Sequence, residues 1–266
     1  MTPREIEAAA LALDEAERTR RQIGLLSLAH PDMTMDDAYA IQAAWARRKI
    51  AAGRAVRGWK IGLTSKAMQQ ALNIDIPDSG VLLDDMIFAN GDTIPKDRFI
   101  QPRIEAEIAF VMKTDLSGPA CSPADVLAAT EFVAPALEIL DTRILRLDPA
   151  TKKPRTIVDT ISDNAANAGI VLGRDRHNPL AFDLRWVGAI VSRNGEVEET
   201  GLGAGVLNDP ALAVAWLANR LAAYGESIRA GDVVLSGSFI RPLEAPPGSR
   251  IEADFGAFGQ VSCRFG

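Results

Sequence analysis

The sequence predicts an α+β protein, a mixed β-sandwich or roll preceded by a small helical N-terminal part. Three observations predict it. Helical periodicity with capping signals fills the first 53 residues. Strand-like alternation dominates after residue 100, where strands outnumber helices. Hydrophobic residues make up 47% of the 266, which is ample for a real core. That length allows one large domain or two small ones. The expected division sets a helical segment, 1–56, against a β-rich domain, 57–266. The segment would pack on the main domain or on a neighbouring subunit.

The elements follow in order. Residues 4–23 read as a charged, Ala-rich amphipathic helix with Gly24 past its end. Thr34-Met35-Asp36-Asp37 reads as a capping box opening a second helix to about residue 52, stopped by Gly53. Its apolar face would carry Ala38, Ile41, Trp45 and Ile50. Arg57-Gly58-Trp59-Lys60-Ile61-Gly62-Leu63-Thr64 reads as a strand, with Trp59, Ile61 and Leu63 on one face and Lys60 on the other. Ser65 would cap a short helix over 66–72. Residues 73–99, rich in Asp, Pro and Gly, read as a long covering loop.

Arg103-Ile104-Glu105-Ala106-Glu107-Ile108 alternates as a strand. Ser122-Pro123 opens a helix, and Val133-Ala134-Pro135-Ala136-Leu137-Glu138 reads as another strand. Residues 142–155 form a polar, basic loop, and 159–169 are dense in small polar groups. Residues 184–192 alternate as a strand, followed by the type I′ hairpin signal Asn194-Gly195. Asn208-Asp209-Pro210 opens a helix to about residue 223. Strands follow over 232–240, 250–254 and 260–265.

Composition excludes several functions. Net charge is −6 with no clustered Lys and Arg beyond Arg18-Thr19-Arg20-Arg21, so nucleic acid is a poor partner. No apolar run approaches the ~18 residues that span a bilayer. The acidic N-terminus resembles no signal or transit peptide, and the expected location is cytoplasmic. Cys121 and Cys263 make no disulfide framework and no zinc spacing. The two histidines, His30 and His177, lie in loop-like surroundings. Acid–base work therefore falls to Lys, Asp, Glu or a metal-bound water.

Glu105 and Glu107 lie two apart on one strand and face the same way, about 7 Å apart at the backbone. Glu138 sits in a similar apolar strand. Three carboxylates on buried strands, without His or Cys, suit a hard divalent cation, Mg²⁺ or Mn²⁺. A 2-oxo acid could chelate such an ion, which would stabilise its enolate. Lys60, on a short Gly-flanked strand, is the candidate proton carrier, and desolvation there would lower its pKa.

Six stretches together resemble the hydratase/decarboxylase branch of the fumarylacetoacetate hydrolase superfamily, over nearly the whole chain. They are Gly58-Trp59-Lys60-Ile61-Gly62-Leu63-Thr64-Ser65, Pro77-Asp78-Ser79-Gly80-Val81-Leu82-Leu83-Asp84-Asp85-Met86, Arg103-Ile104-Glu105-Ala106-Glu107, Pro135-Ala136-Leu137-Glu138, Ser162-Asp163-Asn164-Ala165-Ala166, and Gly237-Ser238-Phe239-Ile240-Arg241-Pro242. The resemblance implies that Glu105, Glu107 and Glu138 bind Mg²⁺ or Mn²⁺. It implies proton transfer by Lys60, helped by Asp78. It also implies that Leu83, Ser162, Gly237 and Ser238 hold the substrate, partly through backbone amides.

The implied fold is that superfamily's mixed β-sandwich or roll, and the implied assembly is a homo-oligomer, a pentamer or decamer. The implied activity is hydration of an unsaturated 2-oxo acid, 2-oxohept-3-ene-1,7-dioate, in aromatic meta-cleavage catabolism. The alternatives are 4-oxalocrotonate-type decarboxylation and hydration of 2-hydroxypenta-2,4-dienoate. A C–C hydrolase would need a His–acid pair, which no motif here supplies. A non-catalytic subunit is disfavoured by the presence of all three acids and Lys60. One departure is Ser79, where close relatives would carry an aromatic. A seven-carbon diacid also needs a cation for its far carboxylate, for which Arg143, Arg155 and Arg241 are candidates.

Overall fold

The computed structural model describes residues 1–66, 69–70, 74 and 76–266, and begins with helices set by their caps. Helix α1 (Pro3–Thr19) opens on a capping box between Thr2 and Glu5. It ends before residue 23 because Arg20 turns left-handed, with φ 55°. The chain then runs extended, so that Ile23 bridges Ile144. The short α2 (Leu26–Ala29) leads to α3 (Met35–Ala51), capped by Thr34 and Asp37. Leu13, Ile41 and Trp45 are buried together with Val81, Leu83, Met86 and Ile144. The helices thus share a core with the start of the sheet. Each such large side chain contributes roughly 1.5–3 kcal/mol. Ile50, expected on the buried face of α3, is exposed.

Strand β1 (Val56–Gly62) is shorter than the alternation suggests. Leu63 leaves it with φ 56°, a left-handed backbone, and so does not share a face with Trp59 and Ile61. The short helix expected over 66–72 lies largely outside the described residues, of which Lys66, Gln69 and Gln70 are helical. The expected loop over 73–99 contains a strand, β2 (Asp78–Leu83), buried at all six positions. A strand covered on both faces has no polar alternation, and Asp78, Ser79 and Gly80 mimic a turn. Short strands β3 (Ile87–Ala89) and β4 (Thr93–Ile94) follow.

Strand β5 (Arg103–Met112) leads through α4 (Pro123–Ala129) to β6 (Thr130–Leu140). Next come α5 (Ile157–Ser162) and β7 (Asn167–Leu172). Residues 184–186 form a 3₁₀ turn, so the expected strand starts later, as β8 (Gly188–Arg193). The hairpin to β9 (Glu196–Leu202) has positive φ at both Asn194 and Gly195, as its dipeptide requires. Helix α6 (Pro210–Ala222) precedes β10 (Val233–Ser238), β11 (Leu243–Glu244), β12 (Arg250–Asp254) and β13 (Gln260–Phe265).

The described residues form two mixed sheets. The larger runs β2-β1-β10-β5-β6-β7-β3, with β11 also on β5; the smaller runs β4-β13-β12-β8-β9. Ile104, Ile108 and Phe110 from β5 share one core with Ile251, Val261 and Phe265 of the smaller sheet. The opposite face of β5 therefore carries Glu105, Glu107 and Ala109. Ala109 packs there with Leu82, Ala136, Ile170 and Leu235. His177 is structural: its Nε2 lies 3.0 Å from the Phe258 carbonyl, and its ring meets Phe182 edge to face and lies tilted against Phe258. No helix among the described residues is long and apolar enough to cross a membrane.

Candidate active site

Strand register gathers the site. Glu105 on β5 stands directly opposite Glu138 on β6, and Glu107 opposite Ala136. One oxygen of each of the three carboxylates lies within 4.8 Å of the other two. Glu107 and Glu138 are fully enclosed and Glu105 partly so. On the other side, β10 pairs with β5 and is irregular between Leu235 and Ser238. That irregularity turns the Gly237 N–H onto Glu107 Oε2, at 2.7 Å. Gly237 has φ 123°, and a side chain there would strike Thr64.

Lys60 pairs with Leu235 across β1 and β10, which puts its side chain on the face of the acids. Its Nζ stands 3.6 Å from Glu138 Oε1 and 3.9 Å from Asp78 Oδ1. Asp78 reaches it because β2 runs antiparallel to β1, with Asp78 opposite Gly62. Gly62 is needed here: a Cβ would come within 2.8 Å of Lys60 Nζ and would strike Asp78 Oδ1.

The electrostatics follow from four acids and one base in a largely buried site. Burial, then the charge of Glu138, raises the Glu105 carboxyl to about 8. Burial, then Glu138 and Glu105, pushes Glu107 well above its usual range. Burial also raises Glu138 and Asp78, although Lys60 opposes both. For Lys60, burial works against the charged form, but Glu138 and Asp78 outweigh it and its pKa stands above the ordinary value. This reverses the lowering expected from its strand context, because sequence showed the desolvation and not the two carboxylates in contact. The cluster contains one positive charge, so it favours protons on the excess carboxylates or a further cation among them.

The residues fit a divalent cation. Glu107 Oε1 and both oxygens of Glu138 are buried without a hydrogen-bond partner. Unpartnered buried carboxylate oxygens are costly unless a cation takes them. An all-oxygen donor set of this size suits Mg²⁺ or Mn²⁺.

The other expected site residues are spread around this cluster. Ser238 is the register partner of Glu107, and its Oγ donates to the Ile240 carbonyl at 2.8 Å. Ser162 is buried at the end of α5, where its Oγ donates to the Val158 carbonyl at 2.8 Å. Leu83 pairs with Val56 at the far end of β2 from Asp78. Its side chain packs with the N-terminal helices. Of Arg143, Arg155 and Arg241, the first is enclosed and ion-paired to Asp163, and Arg241 is exposed and bound to Glu199 at 2.6 Å.

Sequence reading missed the turn that closes the site. Asn164, Ala165 and Ala166 all have positive φ, which alanine adopts only under tertiary constraint. Asn164 enforces it by bridging β2: its Oδ1 accepts from the Val81 N–H at 2.8 Å, and its Nδ2 donates to the Val81 carbonyl at 2.9 Å. The only sequence signal was the run of small residues. Tyr39, on α3, was also missed. Its hydroxyl accepts from the Ser79 N–H at 3.3 Å, bringing an aromatic beside the position where one was expected in sequence.

No protein-family model matches the chain. Curated relatives match along almost its whole length. The chain is 54% identical over 256 residues to the 2-oxo-hept-4-ene-1,7-dioate hydratase of Escherichia coli, covering 96% of each chain. It is 42% identical over 265 residues to the 2-keto-4-pentenoate hydratase of Paraburkholderia xenovorans, covering 100% of this chain and 96% of the other. Among solved structures, the 4-oxalocrotonate decarboxylase of Pseudomonas putida G7, complexed with magnesium and adipate, superposes with a TM-score of 0.93 at 35% identity. That match covers 100% of this chain and 98% of that one. A structure described as a fumarylacetoacetate hydrolase family protein of Yersinia pestis CO92 shares the fold at TM-score 0.57 and 16% identity, over 79% and 93% of the two chains. Together with the acid cluster and Lys60, these relationships lead to one assignment: the chain belongs to the hydratase/decarboxylase branch of the fumarylacetoacetate hydrolase superfamily.

Proposed function

We propose that the protein hydrates an unsaturated 2-oxo diacid, 2-oxo-hept-4-ene-1,7-dioate, to 4-hydroxy-2-oxoheptane-1,7-dioate. The carrying observation is Lys60 Nζ at 3.6 Å from one of three converging carboxylates. The substrate rests on the E. coli relative, whose name places the double bond at C4 rather than at the C3 expected from sequence. Both isomers give the same dienolate on losing a proton, from C3 or from C5, so one site serves either.

Glu105, Glu107 and Glu138 would hold Mg²⁺ or Mn²⁺; the Pseudomonas relative was solved with magnesium. When bound, such an ion polarises the 2-oxo group and stabilises charge on its oxygen as the enolate forms. The Gly237 N–H fixes the orientation of Glu107. Asp78, whose buried Oδ1 makes no hydrogen bond and lies 3.9 Å from Lys60 Nζ, accepts the proton removed at C3. Lys60, held as an ammonium, supplies the proton at C5 and recovers it through Asp78. The hydroxyl of a water would then add at C4 while the freed Asp78 carboxylate takes the proton that the water gives up, and Asp78 would return that proton to C3. The Gly237–Ser238 turn would border the carboxylate end of the substrate. Leu83 and Ser162 would act through the backbone of the segments they anchor.

Residues 1–56 serve in this reading as a helical segment packed on the catalytic domain, 57–266. A homo-oligomer, a pentamer or decamer, and a cytoplasmic location complete the proposal.

The test is a paired assay of the Mg²⁺-loaded protein with 2-oxo-hept-4-ene-1,7-dioate and with 4-oxalocrotonate. Appearance of the 4-hydroxy product from the first supports hydration. Release of CO₂ from the second, with no hydration of the first, would overturn it.

A further inference from the structure

We infer that Arg155 and Arg103 form a distal carboxylate site that selects dicarboxylic over monocarboxylic 2-oxo acids; this rests on the hydratase reading above. Arg103 lies two residues before Glu105 on β5 and faces the same way, one strand step of about 7 Å away. An extended seven-carbon chain spans roughly 7–8 Å between its end carbons. A diacid anchored at the acid cluster by its 2-oxo end and lying along β5 would place its far carboxylate at Arg103.

Arg155 comes from the 142–155 loop, and its charge and that of Arg146 both act on Arg103. Its backbone N–H donates to the Arg146 carbonyl at 3.0 Å, beside the bridge between Leu147 and Pro154. Arg146 binds Glu244 at 2.7 Å and the Gln101 carbonyl at 3.1 Å. Glu244 is the register partner of Arg103. Three guanidinium groups therefore gather at this end of β5, and Arg146 is the one already neutralised.

The side chains of Arg103 and Arg155 make no hydrogen bond or ion pair among the described residues. Arg103 Nε and Arg155 Nη1 are enclosed with no acceptor. The acids facing Arg155 are Asp163, Asp78 and Asp159. Asp163 is held by Arg143, and Asp159 caps α5 and binds Ser27. Asp78 belongs to Lys60. Two half-buried guanidinium groups with unmet donors, one ligand length from the acids, match the fork geometry of a carboxylate.

The test compares Arg155→Gln and Arg103→Gln with the parent protein on 2-oxo-hept-4-ene-1,7-dioate and on the five-carbon monoacid 2-keto-4-pentenoate. The ratio of kcat/KM for diacid over monoacid is expected to fall about ten- to a hundredfold, mainly through KM for the diacid. Arg155→Lys should recover part of it. A ratio within about twofold of the parent value in both Gln variants overturns the proposal. A second arm needs no turnover: heptanedioate should raise the thermal midpoint of the Mg²⁺-loaded parent more than pentanoate does. Loss of that difference in Arg155→Gln supports the site, and its persistence overturns it. Failure of the parent to turn over either acid would count against the hydratase reading alone, because the binding arm still decides the arginines.

Discussion

Removing one of the clustered carboxylates should stabilise the metal-free protein and abolish metal binding. Take Glu105→Gln. The Glu105 carboxyl is raised from 4.5 to about 8 in the folded chain. A raised folded pKa means that the folded chain binds more protons than the unfolded one between those values. Stability is then full below 4.5 and falls as pH rises toward 8. By pH 7 the loss is about 3 kcal/mol, at about 1.4 kcal/mol per pH unit. Repulsion is part of that cost beside burial: like charges within 4.8 Å interact by about 3.5 kcal/mol at an effective dielectric of 20, partly offset by Lys60. A neutral amide at this position carries no such cost. In chelator at pH 7 the variant should melt higher than the parent by about 5–10 °C. At pH 5 the two should nearly coincide. In excess Mg²⁺ the order should reverse, because only the parent gains the bound ion. Thermal unfolding by circular dichroism at pH 5, 6, 7 and 8, with chelator or Mg²⁺, measures this. A parent midpoint independent of pH in chelator, or a variant less stable than the parent in chelator at pH 7, would refute the reasoning.

Other outcomes follow from the same geometry. Gly62→Ala inserts a methyl against Lys60 Nζ and Asp78. kcat should fall about a hundredfold or more with the far-ultraviolet spectrum intact. Lys60→Met should lower kcat by about 10²- to 10⁴-fold while Mg²⁺ affinity, read by calorimetry, holds or tightens because a competing positive charge is gone. A large loss of Mg²⁺ affinity would instead make Lys60 part of the cation site. Arg143→Ala strands the buried Asp163 and should cost about 3–5 kcal/mol, read as a drop of about 10 °C in the melting midpoint. Its replacement by a pair of apolar residues at 143 and 163 should recover much of that loss.

The site was legible in proportion to how local its signals are. Glu105 and Glu107 share a face because a strand alternates, and nothing distant can change that. That Glu138 stands opposite Glu105 depends on the β5–β6 register, set across α4 by a connection no short pattern encodes. Asp78 was named while its strand was read as loop: six buried positions with no polar alternation look like a turn when they begin Asp-Ser-Gly. The left-handed run at Asn164–Ala166 was invisible because two alanines advertise helix rather than αL. Arg103 went unremarked as a ligand for the opposite reason. Its strand was read correctly, but what distinguishes it is an unmet donor, and that exists only once the neighbours are in place.

The acid cluster sits where it does because repulsion of this size needs a rigid frame. Three carboxylates on loops would move apart and hydrate, and each would return to its ordinary pKa. On β5 and β6 they cannot. Ten paired positions, from Arg103 with Leu140 to Met112 with Thr130, fix the two strands. Beneath them, Ile104, Ile108 and Phe110 are locked into the core shared with the smaller sheet. Moving Glu105 away from Glu138 would therefore break strand pairing and core packing together, at a cost well above the ~3.5 kcal/mol of repulsion that would be relieved. The same logic holds at the cover, where Asn164 and the Arg143–Asp163 pair keep a left-handed turn against β2. The chain breaks local rules at these two places, one electrostatic and one conformational, and both are held by the parts of the fold least able to relax. Such strain survives only where the surrounding structure over-determines it, which is why the three glutamates lie on β5 and β6, in the middle of the larger sheet.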